Sequence, residues 1–179
     1  VGVLWAAHVV HHQSEDYNLG TALRQPATSF LLGWLFYLPM ALAGFPPLAF
    51  GVAALIDLLY QYWIHTEQIG RLGWFDRVFA SPSNHRVHHG VNQRYLDKNY
   101  GGILIIWDRL FGTYQGETER PVYGLTENIR SFRPTSVAFH EFLAMAHDVR
   151  HAESWRARFG YVFRGPGWSP DGRGGGTRG

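Results

Sequence analysis

The chain has 179 residues, room for one domain and too few for two comfortable ones. It contains no cysteine, which removes thiolate zinc sites, iron–sulfur clusters, haem–thiolate chemistry and disulfides together. A net charge of +2, with Lys98 the only lysine, points away from nucleic acid, whereas seven tryptophans suit a protein that meets a membrane interface.

The first feature along the chain is "AHVVHHQSED", which sets His8, His11 and His12 at H-x-x-H-H spacing. In a helix these positions share one face within a turn, so three rings can converge on one small volume. Neutral imidazole is the commonest side-chain ligand for transition metals, and a metal site is the leading reading. Next, nothing between Arg24 and Asp57 is ionisable. One helix over that stretch would be about 48 Å long, well beyond a hydrocarbon core of roughly 30 Å. "GFPP" at 44 to 47 supplies a break, because Pro46 and Pro47 lack backbone donors and Gly44 tolerates turn geometry. The pattern predicts an apolar hairpin with arms near 28–43 and 48–65, transmembrane or re-entrant, with a buried soluble hairpin as the alternative. A hairpin returns the chain to the side it left, so whatever flanks it can share a site.

The second arm closes with "IDLLYQYWIHTEQIG", where Asp57, Gln61 and His65 follow one another at i, i+4 steps as a polar stripe. His65 is read as a further metal ligand at the membrane edge, with a helix-end histidine bonded to Glu67 or to water as the alternative. Asp57 is read first as the partner of a buried polar group and kept as an additional site candidate. "NHRVHHG" then repeats the first spacing with His85, His88 and His89. Surface clusters, or core histidines bonded to carbonyls, are the alternative, weaker for a matched pair than for one box. Glu67, Asp97 and Asp108 are candidate carboxylates that accept the free ring N–H of a liganding histidine and fix its tautomer; surface ion pairing is the competing role. "FHEFLAMAHDVRH" reads as an amphipathic helix whose wet flank carries His140, His147 and His151, of which His140 is kept as an additional ligand candidate. The zinc-protease pattern fails there, because the histidine after His140–Glu141 comes at i+7. The Gly- and Arg-rich end predicts a disordered tail over 161–179 behind a domain over 1–160.

Two H-x-x-H-H boxes flanking an apolar hairpin resemble the fatty acid hydroxylase or sterol desaturase superfamily of integral-membrane di-iron oxygenases. "HHQSEDYNLGTALRQ", "QYWIHTE", "PSNHRVHHGVNQRYLDKNYGGILIIWDRLFGTY" and "GLTENIRSF" look most like its alkylglycerol monooxygenase branch and bacterial relatives, and the resemblance covers roughly residues 5 to 145. The resemblance implies an all-α integral-membrane protein of the bacterial inner membrane or endoplasmic reticulum, with a histidine-rich helical cap on the cytoplasmic side. It makes His8, His11, His12, His85, His88 and His89 ligands of two Fe ions, with His65 a further one. It implies O2 as oxidant and hydroxylation or desaturation of a lipid C–H bond in a sterol, fatty acyl or alkylglycerol chain. Electrons come from an external donor, a tetrahydropterin or an electron-transfer protein, since the chain shows no dinucleotide fingerprint. The family also carries an earlier H-x-x-x-H-type box, and only "VGVLWAA" precedes His8, so the stretch is expected to be the C-terminal part of such a domain, or a divergent member lacking part of its site, and inactive alone. A membrane zinc hydrolase and a non-enzymatic membrane metal or haem module are the rival readings.

Overall fold

The computed structural model describes residues 1–25, 28 and 33–172, and among these it is helical, with a single isolated bridge between Phe79 and Leu104 in place of any strand. Helix α1, Gly2–His12, carries the first box. It is packed by α8, Pro134–His151, and α9, Trp155–Phe163, which form a pair across its back. The approach to α9 is close. Gly2 N–H donates to the Arg164 carbonyl at 2.7 Å, and a Cβ on Gly2 would lie 2.5 Å from the Tyr161 carbonyl oxygen. Only glycine lets these two helices meet there.

After the short α2, Leu19–Ala22, the expected first apolar arm is not one helix among the described residues. Gly33–Phe36 forms a 3₁₀ turn and Leu38–Leu42 a separate short helix, α3, while 26, 27 and 29–32 lie outside the described residues. Pro39 explains the restart, because it has no N–H to continue a ladder and is tolerated only in a helix's first turn. The break at "GFPP" is present. Gly44 takes φ +85°, and α4, Pro47–Ile64, starts on its own proline.

Helix α4 has 18 residues and is long and apolar enough to cross a membrane, with a mean hydropathy of 1.3 and only 6% of the span buried. A core helix of this composition would be covered; here Leu48, Leu55 and Leu59 are all exposed. The helix ends where its function begins. The Tyr17 hydroxyl caps the Ile64 carbonyl at 3.0 Å, and the chain turns sharply at His65.

The second box lies on α6, Pro82–His89, which follows the single turn of α5, Phe75–Val78. Ser81 caps α6 by accepting Asn84 N–H at 3.3 Å, with Pro82 in the first helical position. The helix is buried along nearly its whole length although it reads PSNHRVHH. Burying such polarity is costly unless each group is bonded, and most are. Asn84 donates to the Asp76 and Phe79 carbonyls, Ser83 to Glu117, and Arg86 to Glu117 and to the Thr66 and Ile69 carbonyls. A buried helix made of histidine, asparagine and arginine is there for chemistry, since aliphatic residues would pack more cheaply.

Residue 160, where the sequence places the end of the domain, falls inside α9. Trp168 lies over Gly160, where any Cβ would collide with its indole, and edges against the Tyr161 ring. Residues 173–179 of the expected tail lie outside the described residues.

Candidate metal centre

The fold brings all seven box and helix-end histidines together and divides them in two. His11, His65, His85 and His89 form a buried group, and His8, His12 and His88 a second; within each group one ring nitrogen per residue lies within 4.8 Å of the others. The groups abut, with the His12 and His89 rings stacked at 4.3 Å. Sequence spacing anticipated the membership but not the division, which cuts across both boxes.

Hydrogen bonding fixes what the rings present to one another. The His11 Nδ1 meets the Arg24 carbonyl at 3.3 Å, the His65 Nδ1 the Gln61 carbonyl at 2.6 Å, and the His88 Nδ1 the Lys98 carbonyl at 3.3 Å. A carbonyl only accepts, so each Nδ1 carries its proton and each Nε2 of a neutral ring is a bare lone pair. The His65 Nε2 nevertheless sits 3.0 Å from the His11 Nε2 and 3.1 Å from the His85 Nε2. A second proton does not resolve the clash. Burial, then the neighbouring histidines, push His11 down to about 3, and burial, opposed by the Gln61 carbonyl, pushes His65 down to about 4. Two neutral acceptors facing at 3.0 Å repel unless a cation lies between them. The His89 Nε2 is buried without any hydrogen-bond partner, a further donor lacking its acceptor in the same group. The donor set fits a metal ion of borderline softness, for which imidazole is suited.

The second group is similar but open. Burial, then the neighbouring His88 and His65, lower the His8 pKa to about 4, and its Nε2 lies 3.1 Å from that of His12. His8 and His88 are only partly covered, and a cavity of about 320 Å³ opens on this side, walled by Leu4, Trp5, Tyr95, Leu96 and Tyr100. Four buried donors stand beside three donors that face the cavity, which His89 of the buried group also touches.

The expected carboxylate partners do other work. Asp108, buried, accepts the Tyr100 and Gly101 amides at 2.7 Å each and the Thr113 hydroxyl at 2.6 Å, so it builds the loop behind His88 and bonds no ring. Asp97 takes the Tyr100 hydroxyl at 3.1 Å. Glu67 accepts from Tyr123, which stacks on Tyr17, which stacks on His65, so it reaches the site only through two rings. Backbone carbonyls hold the tautomers instead. Asp57 accepts the Gln61 amide at 2.6 Å and faces Gly102, where a Cβ would stand 2.6 Å from its Oδ1; it is a packing partner of the loop rather than a member of either histidine group. His140 meets the Gln13 side chain at 3.3 Å and also stands outside both groups. His147 and His151 pair on the exposed flank of α8. Arg86, Tyr17 and Glu117 went unnoticed in the sequence; an arginine between histidines of a buried box was the available signal.

Asp108→Asn tests this division of labour. It turns one acceptor oxygen into a donor facing N–H groups, and the expected cost is about 1.5–3 kcal/mol of stability. Metal content measured well below the unfolding midpoint should be unchanged, and selective loss of metal would restore Asp108 to the site.

Seven neutral, convergent histidines, His65 among them at the end of an exposed apolar helix, define a helical protein with two abutting polyhistidine groups whose donor geometry suits metal ions. The family model described as fatty acid hydroxylase matches residues 1–113, and the chain belongs to that family. It is 47% identical over 170 residues to alkylglycerol monooxygenase of Homo sapiens and 46% identical to that of Danio rerio, in each case over 95% of this chain and 38% of the relative. It is 32% identical over 116 residues to an ornithine lipid hydroxylase of Rhizobium tropici, covering 62% of this chain and 34% of that protein. The chain thus spans little more than a third of the length of these relatives. No solved structure matches it.

Proposed function

We propose that this chain forms the histidine-bearing part of a membrane-bound, non-haem di-iron oxygenase that hydroxylates a lipid C–H bond. The observation that carries the reading is the pairing of a buried four-histidine group with an open three-histidine group beside an apolar cavity. His11, His65, His85 and His89 would hold one iron and His8, His12 and His88 the other. The pair of irons, when bound, supplies the activation of dioxygen for attack on an unactivated C–H bond.

The chain's own residues do the rest. The Arg24, Gln61 and Lys98 carbonyls keep the Nδ1 protons of His11, His65 and His88 in place, so that each Nε2 stays free to donate. Leu4, Trp5, Tyr95 and Leu96 wall the open group with apolar surface, which excludes water and admits a hydrocarbon segment. Helix α4 lies in the bilayer and delivers His65 at its end; the stretch before "GFPP" completes a hairpin that keeps both boxes on the cytoplasmic side, where reductant is available. Similarity to alkylglycerol monooxygenases favours an ether lipid as substrate and a reduced pterin, or an electron-transfer protein, as donor. A zinc hydrolase is less well supported, because the one carboxylate among the described residues lining the cavity, Asp97, is bonded to Tyr100.

The test is iron and zinc content after anaerobic reconstitution of the full-length protein, with turnover of an alkylglycerol, a fatty acyl lipid and a sterol, with and without tetrahydropterin. Iron bound with oxygen-dependent turnover of one lipid is the expected outcome. Zinc alone, or hydrolysis without oxygen uptake, would overturn it.

A further inference from the structure

Helix α7, Ile106–Phe111, is built inside out. Its aspartate, Asp108, is 2% exposed, whereas Trp107, Leu110 and Phe111 are 52%, 70% and 75% exposed. A six-residue helix in contact with water would do the opposite. Two residues of the neighbouring turn, Leu72 and Trp74, are also exposed, on either side of Gly73 at φ +67°.

These pieces form one unit. The Ile105 N–H donates to the Val78 carbonyl at 3.0 Å, the Ala80 N–H to the Ile103 carbonyl at 2.8 Å, and Arg109 Nε to the Arg77 carbonyl at 3.0 Å, which ties α7 to α5. That unit is in turn fastened to the end of α4, where Tyr60 donates to the Ala80 carbonyl at 2.8 Å and Trp63 meets the Phe75 ring. The unit that carries these exposed apolar side chains is therefore fixed to the end of the exposed apolar helix. Arg71, Arg77 and Arg109 are exposed in the same segments, Arg109 with its guanidinium 3.7 Å from the Tyr114 ring centre, and Asp76 is engaged by the Leu72 amide.

We propose that α7 and the Leu72–Trp74 turn form an apron that rests in the headgroup layer of a phospholipid membrane beside α4. The chemistry fits that partner: tryptophans favour the interfacial depth, aliphatic and phenyl groups reach the acyl boundary, and arginines meet phosphate. The apron seats the cap against the bilayer, with the buried Asp108 fixing α7 behind the loop that carries the His88 carbonyl partner. The proposal rests on the reading of α4 as a membrane span, and the experiment separates the two.

The chain contains no cysteine, so within it each introduced cysteine is the sole labelling site, and any cysteine that the full-length protein carries elsewhere is first replaced by serine. Leu110→Cys, Leu59→Cys on α4 and Arg94→Cys on an exposed loop are made in the full-length protein and placed in nanodiscs of phosphatidylcholine with phosphatidylglycerol. All three positions are exposed, and only Arg94→Cys removes polar contacts, a surface hydrogen bond to Thr118 and an ion pair with Glu119; Phe111→Cys serves as a second apron label. Collision with oxygen, which concentrates in the bilayer, is compared with collision with a water-soluble nickel chelate. The expected result is an oxygen-to-nickel ratio at positions 110 and 111 severalfold above that at 94 and below that at 59. A ratio at 110 and 111 equal to that at 94 overturns the apron while leaving the span standing. Shielding from both reagents also overturns it, by showing that protein covers α7. A water-like ratio at 59 overturns the span and the apron together.

Discussion

Replacing His85 by alanine in the full-length protein is expected to remove the metal from the buried group and abolish lipid oxidation while leaving the fold in place. His85 is one of four buried donors, itself 5% exposed and absent from the cavity wall, so water has no direct route to its coordination position. Its Nε2 lies 3.1 Å from that of His65, whose own Nε2 faces His11, so one truncation disturbs the donors on both sides. Metal bound per chain should fall by about half, with the open group of His8, His12 and His88 retaining its share. Turnover should fall by more than the roughly 10–100-fold typical when an outer hydrogen-bond partner of a ligand is removed. His140→Ala is the matched control. It deletes a histidine that touches Gln13 and belongs to neither group, so metal content should hold. Equal metal content in His85→Ala and the unmodified protein, or loss of metal in His140→Ala, would redraw the donor set.

What the sequence displayed and what it concealed divide along a physical line. The H-x-x-H-H spacing is local, and a helix converts it directly into one face, so α1 and α6 could be placed and their histidines selected. His65 was legible for a related reason, since polar residues at i, i+4 on an apolar helix are expensive and need a purpose. The division into four and three was not legible, because it depends on the rotation of α1 against α6, and no spacing within either box encodes that. The carboxylates misled. Asp108 follows an apolar run and looked available, but the amides of Tyr100 and Gly101 claim it, and Gly101 approaches so closely that a Cβ would sit 3.0 Å from its Oδ2. The groups that do orient the rings are main-chain carbonyls of Arg24, Gln61 and Lys98. Every residue has a carbonyl, so no residue type betrays it. Among the described residues the first apolar arm restarts at Pro39, a single residue inside a stretch whose hydropathy alone suggested continuity.

Arg86 carries the second large effect. It lies in the second box between His85 and His88, and its guanidinium binds Glu117 through Nε at 2.9 Å and Nη2 at 2.7 Å. Its remaining Nη1 reaches the carbonyls of Thr66 and Ile69 at 2.9 and 2.8 Å. One side chain thus pins the helix that bears three histidines to the residue that follows His65. Arg86→Met is expected to cost about 3–5 kcal/mol, because it strands a largely buried carboxylate and two carbonyls. The metal affinity of the buried group should fall with it, since His65 loses its tether. In the Arg86→Met, Glu117→Met double variant much of the stability should return, as no charge is left uncompensated, but the metal affinity should not, because Thr66 is still untethered. Acidity supplies a second check. Burial opposes ionisation of Glu117, but hydrogen bonds from Arg86 and Ser83 outweigh it and hold the carboxyl below its ordinary value of 4.5. A depressed folded value means that the pair contributes its full stability above pH 4.5 and loses it as the pH falls through the lower, folded value. The stability gap between the unmodified protein and Glu117→Gln should therefore be constant at neutral pH and close in acid. Urea unfolding of the four proteins, read beside metal competition, decides the matter. Unchanged stability in Arg86→Met would show that the bridge is ornamental, and full metal affinity in the double variant would show that His65 is positioned by α4 alone.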